Sequence, residues 1–289
     1  MSIDVEKVLG HQFEPKDFVY SERDVSLYAL SVGAAADPID PDELKFVYEL
    51  SARFTPLPMM ALLFPFVMFL QITNVPGLTF NPMLLLHGEQ FMELKRPLPT
   101  TATITNHAHI SAIYDKGKGA TIITDVRCVD KTGAEVAFNQ STIFIRGLGG
   151  FGGERGPSTG SINLPPDRAP DAVISQQTRP DQALLYRLAS GDVNPLHADP
   201  QMAAFGGFER PILHGMCTVG FAGRAVLKQF ADNDPSRFKN IKVRFSKHIF
   251  PGETIITEMW RESETCIIFQ SKAAERNEIV LSNAAVELH

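Results

Sequence analysis

Apolar and polar residues alternate along TIITDVRCVDKTGAEVAFN (Thr121 to Asn139) and again along CIIFQSKAAERNEIVLSN (Cys266 to Asn283). Each run is interrupted by a polar turn, DKTG in the first and ERNE in the second. Period-two alternation on either side of a short turn predicts a β-hairpin. Upstream of each hairpin stands a second matching pair, FMELKRPLPTTATI (Phe91 to Ile104) and VRFSKHIFPGETII (Val243 to Ile256). Lys95 aligns with Lys247 and Pro99 with Pro251, so each predicts an extended segment, a proline turn and a β-branched strand. Two matches in the same order, about 150 residues apart, point to an internal duplication.

Helical spacing of apolar residues predicts helices over Glu22 to Val32 and Asp42 to Leu50, each opening on acidic residues suited to a helix N-terminus. A third helix is expected over HGMCTVGFAGRAVLKQF, His214 to Phe230. It is apolar on nearly every side, and such a helix is buried. Gly220 and Gly223 inside it weaken a helix by up to about 1 kcal/mol each, which makes sense where a sheet wraps closely around it. One central helix gripped by a curved antiparallel sheet is the hot-dog architecture. With the duplication, the expectation is an α+β, tandem (double) hot-dog fold, each half a sheet around a central helix.

Between the halves lies GLGGFGGERGPSTGSINLPPDRAPD, Gly147 to Asp171, a linker composition. The expected units are 1–146, a linker over 147–180, and 181–289. Gly147, Gly149 and Gly152 satisfy GxGxxG after a predicted strand, Thr142 to Arg146. A dinucleotide site needs a helix to begin there, whereas Pro157, Pro165 and Pro166 follow, so that reading is set aside.

The chain has 289 residues, enough to bury a core without staples. A net charge of -6 argues against a nucleic-acid partner, which needs a basic surface. Cys128, Cys217 and Cys266 are odd in number and far apart, so neither a disulfide framework nor a zinc ribbon is expected. The longest apolar stretch, Leu57 to Ile72, contains Pro58 and Pro65 and is shorter than the ~20 residues of a spanning helix, so no membrane partner is expected. MSIDVEKVLG is not a signal peptide, and Val286-Glu287-Leu288-His289 is not a Ser-Lys-Leu address.

The densest chemistry lies in YRLASGDVNPLHADPQMAAFGGFERPILHGMCTVG, Tyr186 to Gly220. Gly191, Asp192, Asn194 and Pro195 are turn formers, so a carboxylate, an amide and the imidazole of His197 share one loop. Asp199 can cap a helix with Pro200 at its first position. Four readings compete. Asp192 and Asn194 are ordinary turn residues and His197 a surface histidine; or His197, Asp199 and His214 hold a metal; or Ser190 or Cys217 is a nucleophile. In the fourth, a carboxylate and an imidazole share one water and divide its proton handling while asparagine orients it.

GDVNPLHADPQMAAFGGFERPILHG resembles the signature of (R)-specific 2-enoyl-CoA hydratases, the MaoC-like or hydratase 2 family. The match runs through Tyr186, Ser190, Gly191, Asp192, Asn194, Pro195, Leu196, His197 and Ala203. The first half, with LKFVYE, VPGLTFNPMLLLHGEQFMELKRPLP and YDKGKG, resembles the non-catalytic hot dog of the eukaryotic enzymes, often one part of the peroxisomal multifunctional enzyme type 2.

The resemblance implies hydration of a trans-2-enoyl-CoA to the (3R)-3-hydroxyacyl-CoA in fatty-acid β-oxidation, with an acyl-CoA thioester as partner and no metal or redox cofactor. It implies that Asp192 and His197 polarise the water, that Asn194 positions it, and that the Gly215 amide is the oxyanion hole. His87, Gly88, Lys116, Val193, Pro195, Leu196 and Phe245 become substrate-binding positions, and Glu49 a weaker candidate. Peroxisomal location and a homodimer follow by resemblance alone; otherwise the expected location is the cytoplasm. The first half lacks DxNPxH, so Met59 to Leu70 could line a space for the acyl tail, against the simpler reading of plain core. The alternative function is an acyl-CoA-binding hot dog or a thioesterase without hydration.

Overall fold

The computed structural model describes every residue except Thr159, and the side chains of all others except Val67, Phe69 and Leu70. Five strands from each half build the main sheet: β1 (Lys16–Tyr20), β2 (Leu85–Leu94), β3 (Ala102–Asp115), β4 (Gly119–Val129) and β5 (Glu135–Arg146), then β6 (Ala172–Gln177), β7 (Phe238–Phe245), β8 (Thr254–Arg261), β9 (Cys266–Ala273) and β10 (Glu278–Leu288), while the short strands Ser2–Ile3 and Leu78–Thr79 pair separately. They form one ten-stranded sheet in the order β1-β3-β4-β5-β2-β7-β10-β9-β8-β6. The second half repeats the first in reverse, so a local two-fold relates them. Its axis passes through the β2–β7 pair, where Gln90 opposes Val243 and Phe91 opposes Lys242. The alignment of Lys95 with Lys247 makes those two pairs equivalent to each other. Both predicted hairpins are present, as β4–β5 and β9–β10.

Helix α1 (Glu22–Ser31) follows β1, and α2 (Gln182–Ser190) follows β6. A capping box between Ser21 and Asp24 starts α1, and Val25, Tyr28 and Ala29 are its buried face. The two helices meet across the dyad: Gln182 Nε2 donates to the Ser31 carbonyl at 2.7 Å, and the Tyr28 and Tyr186 rings are 6.4 Å apart. Short α3 (Pro200–Phe205) starts as expected, Asp199 accepting the Gln201 and Met202 amides. Helix α4 (Gly215–Phe230) is the buried central helix. Among the described residues no helix is long and apolar enough to cross a membrane.

Four expectations need correction. The first half has no long central helix. In its place stand a 3₁₀ segment (Pro58–Leu63), one α-turn (Phe66–Phe69) and a second 3₁₀ segment (Leu70–Asn74); Pro58 opens the first of them at a position where proline is tolerated, whereas Pro65 falls inside the run and lacks the amide hydrogen a continuous helix needs. The helix expected over Asp42 to Leu50 is a single turn, Pro41–Leu44. Tighter i→i+3 bonds from Phe46 to Glu43 and from Val47 to Leu44 replace it. The linker expected over 147–180 is shorter, since β6 lies inside it and pairs with β8. The glycines of α4 accommodate the first half rather than the sheet. A Cβ on Gly220 would lie 2.4 Å from Val32, and one on Gly223 would lie 2.7 Å from Met59.

Glu43 in the first half and Arg224 on α4 form a buried ion pair at 2.5 Å, and the Val32 carbonyl takes a second bond from Arg224. Its guanidinium is thus satisfied twice, as a buried charge must be. One hydrophobic cluster runs through both halves. Met59 to Phe64 are fully packed within it, which favours plain core for that segment; Val67, Phe69 and Leu70 lie outside the described side chains.

Candidate active site

Gly191 ends α2 in the left-handed conformation, φ 72°, and turns the chain into the loop. Asp192 is then fixed at both ends. Its amide donates to Ser190 Oγ at 3.2 Å, and its Oδ1 accepts the Asn194 amide at 2.9 Å. Asn194 Oδ1 accepts the Leu196 amide at 3.1 Å, closing a 3₁₀ turn, Pro195–His197, with proline at its start. The loop thus forms from Asx and proline chemistry alone, and it delivers His197 inward while Val193, Asn194 and Pro195 remain exposed.

His197 Nδ1 lies 2.8 Å from the Ile212 carbonyl. A carbonyl only accepts, so Nδ1 carries the hydrogen and Nε2 is the bare acceptor. The ring stacks on His214, with centroids 3.7 Å apart and planes 26° apart. His214 Nε2 is 3.9 Å from Asp192 Oδ2. One potential ligand atom from each of Asp192, His197 and His214 lies within 4.8 Å of the others. His214 is 2% exposed, yet among the described residues neither of its ring nitrogens makes a hydrogen bond. Burial, then the neighbouring His197 charge, pushes its pKa down to about 2, and burial also lowers that of His197. Both imidazoles are therefore neutral near pH 7. An orphaned buried polar side chain costs free energy unless something meets it, and here a carboxylate and two imidazoles lie within 4.8 Å of one another.

The competing chemistries fare differently. Asp199 is committed to capping α3 and stands apart from the cluster, so the trio His197, Asp199 and His214 is not a ligand set. Ser190 Oγ accepts the Asp192 amide, and Cys217 is fully buried with Sγ on the Ser31 carbonyl. Desolvation raises the Cys217 thiol well above its ordinary range, opposite to what a nucleophile needs.

Across from the loop, Gly215 opens α4 and is exposed. Its N–H belongs to the first turn, which has no intrahelical acceptor, and the helix dipole favours negative charge there. A Cβ on Gly215 would lie 2.8 Å from the Phe245 ring, so glycine is what fits. Phe245 in turn meets His87 of the first half, rings 4.7 Å apart. Gly88 beside it sits at a bulge in β2, where the pairing with β5 shifts between His87 and Glu89; bulges of this kind re-aim side chains next to sites.

A buried polar chain orients His87. The Ala61 carbonyl accepts from Asn139 Nδ2, Asn139 Oδ1 from Gln90 Nε2, and Gln90 Oε1 faces His87 Nε2 at 3.2 Å. Because the chain ends on a carbonyl, each amide is fixed in turn and His87 Nε2 must be the donor. Burial lowers the His87 pKa to about 4, although the ring keeps part of its surface in solvent.

The structure thus gathers Asp192, His197 and His214, and links His87 through Phe245 to Gly215, with Gly88 next to His87 in the chain. Leu196 packs near Gly206. Lys116 is not brought in: its Nζ donates to the carbonyls of Arg155 and Pro157 and sits 5.5 Å from the Tyr114 ring. Glu49 is on the surface. The carboxylate buried nearby in sequence is Glu43, tied to Arg224. His214 escaped the acid–base reading; its one signal was its place directly before Gly215 at a buried helix start.

Residues 18–147 match the family model of the MFE-2 hydratase 2 N-terminal domain, and residues 161–284 that of the MaoC like domain. The chain is 48% identical to a probable enoyl-CoA hydratase 2 of Dictyostelium discoideum, covering 98% of this chain and 96% of that one. It is 43% identical to a peroxisomal enoyl-CoA hydratase 2 of Arabidopsis thaliana, covering 95% and 92%. Among solved structures, the MaoC-like dehydratase of Phytophthora capsici aligns with a TM-score of 0.87 at 36% identity, covering 99% of both chains. The full-length peroxisomal multifunctional enzyme type 2 of Drosophila melanogaster aligns with a TM-score of 0.83 at 38% identity; this chain spans 48% of it. Fold, loop and kinship agree, and the chain belongs to the MaoC-like enoyl-CoA hydratase 2 family, with its two units arranged as a double hot dog.

Proposed function

We propose that this protein is a lyase that reversibly hydrates trans-2-enoyl-CoA to (3R)-3-hydroxyacyl-CoA in fatty-acid β-oxidation. The observation that carries the reading is the meeting of a carboxylate, a bare imidazole nitrogen and a buried imidazole that makes no hydrogen bond among the described residues, opposite an open helix N-terminus. One water sits among Asp192, His197 and His214. The Asp192–His197 pair takes its proton as a coupled unit, and the hydroxyl adds to the β-carbon of the enoyl thioester. The electron pair moves onto the thioester oxygen, where the Gly215 N–H and the α4 dipole stabilise the enolate. The α-carbon then takes a proton from the acid so formed. Asn194 acts by shaping the loop, since its Oδ1 holds the Leu196 amide. His87, Gly88, Phe245, Val193, Pro195 and Leu196 border the acyl-CoA. Lys116 would need to leave its carbonyl partners to reach a CoA phosphate.

The test is loss of enoyl thioester absorbance with crotonyl-CoA and with a long-chain trans-2-enoyl-CoA, with product chirality determined. (3R)-3-Hydroxyacyl-CoA is expected from both. Release of free CoA without hydration would support the thioesterase alternative, and a (3S) product would refute the reading.

Two further outcomes are expected. The chemistry needs no metal, so turnover survives exhaustive dialysis against a chelator; loss that zinc restores would make the Asp192–His197–His214 cluster a metal site instead. His197 must be unprotonated to accept, and burial lowers its pKa, so activity is lost only as pH falls below the ordinary histidine value of 6.5. An acidic limb of kcat/KM at or above 6.5 would show that the Asp192 charge outweighs burial.

Peroxisomal location and a homodimer belong to the same proposal. The first is supported by the peroxisomal Arabidopsis relative. The second is supported by exposed Leu184, Leu188, Val193 and Phe205 in the stretch that carries the site. Microscopy of the tagged native protein and light scattering test them in turn.

A further inference from the structure

The local two-fold carries the active site onto a second place in the molecule. The active site lies at the N-terminus of α4, beside the end of β7 and the start of β2. Its counterpart lies at the start of the Pro58–Leu63 segment, beside the end of β2 and the start of β7. The entry turns correspond as well. Asn81 caps the turn before β2 through the Met83 amide, and Asp234 caps the turn before β7 through the Ser236 amide. At this counterpart the structure has a cavity of about 520 Å³, walled by Pro56, Pro58, Leu94, Pro97 and Leu98 among others.

The cavity contains none of the catalytic groups, but it contains Lys45, which is only 7% exposed. Its Nζ sits 5.2 Å from the Phe46 ring, and among the described residues it makes no hydrogen bond or ion pair. The other charges around the cavity are already engaged. Arg53 holds Asp42 and the Pro41 carbonyl, Asp232 is paired with Arg237, and Asp234 caps its turn. Asp42, Asp234 and Glu43 act on this ammonium from a distance, but among the described residues none hydrogen-bonds it, and an ammonium in apolar walls suits one negative group attached to an apolar body. The carboxylates near it, Asp42, Asp234 and Glu43, repel any anion, and a polyanion such as the phosphates of CoA far more than a single carboxylate that Lys45 can neutralise.

We infer that this degenerate counterpart of the active site is a binding site for a medium-chain fatty acid, its carboxylate on Lys45 and its chain against the proline–leucine wall. The site lies beyond the far end of α4 from Gly215, roughly 24 Å along the 16-residue helix, so it is occupied independently of the acyl-CoA site.

Calorimetric titration of the whole protein with sodium decanoate tests this. Decanoate binds one site per chain, and Lys45→Met weakens it by at least about tenfold, whereas Lys45→Arg retains it. Decanol and free CoA do not displace it. Lys45→Met keeps the wild-type rate on crotonyl-CoA, which also shows that it is folded. No decanoate binding, equal binding by Lys45→Met, or simple competition between decanoate and enoyl-CoA would each overturn the inference. Failure of the hydratase reading leaves the decanoate result standing, since the titration itself does not depend on turnover.

Discussion

His197→Ala and Asp192→Asn each lower kcat by roughly 10²–10⁴-fold, the range expected for a lost general acid–base group, while the fold persists. His197 Nδ1 is bound to the Ile212 carbonyl, which leaves Nε2 as the nitrogen free to accept the proton in the proposed reaction. His214 lies within reach but is pushed to about pKa 2 by burial, too weak a base to substitute. Asp192→Asn keeps the bond from the Asn194 amide through its own carbonyl oxygen, so the loop survives and only the negative charge is lost. Because the two groups act on one proton, the double variant is little worse than either single one. Circular dichroism and denaturation check that each variant is folded. A folded variant with wild-type turnover removes that residue from the mechanism.

The second large effect is at Gly215. An added Cβ would meet the Phe245 ring at 2.8 and 2.9 Å, and Phe245 is backed by His87. Either the ring or the start of α4 must shift, and a misplacement of about 1 Å can cost about 10²-fold in rate. Gly215→Ala therefore loses about two orders of magnitude in kcat although its N–H remains. If the cause is this collision, adding Phe245→Ala recovers part of the loss, even though Phe245→Ala alone weakens substrate binding. No recovery in the double variant would place the effect elsewhere.

Much of this was legible before any coordinates, for definable reasons. The duplication shows because strand alternation is local, and the β4–β5 and β9–β10 hairpins carry it in their turns. The loop that carries Asp192 and His197 shows because Gly191, Asp192, Asn194 and Pro195 form it through bonds two residues apart. The buried helix shows in its all-round apolar composition. What stayed hidden depends on contacts distant in sequence. His214 joins Asp192 and His197 only when α4 docks behind the loop. Glu43 meets Arg224 across the two halves, and the close neighbours of Gly220 and Gly223 are Val32 and Met59 rather than the sheet. Lys116 is held by the carbonyls of a glycine–proline segment whose path no local pattern encodes. The first half has the strands but only short helical turns where the second has a long helix, since Pro65 falls inside the apolar run and proline is not tolerated inside a helix.

A crystal structure of the wild-type protein with (3R)-3-hydroxyacyl-CoA bound is the most direct measurement. The account predicts the 3-hydroxyl within hydrogen-bond distance of both Asp192 and His197, beside His214, with the thioester oxygen on the Gly215 amide. A 3-hydroxyl away from that pair, or a thioester oxygen turned from the start of α4, would contradict it.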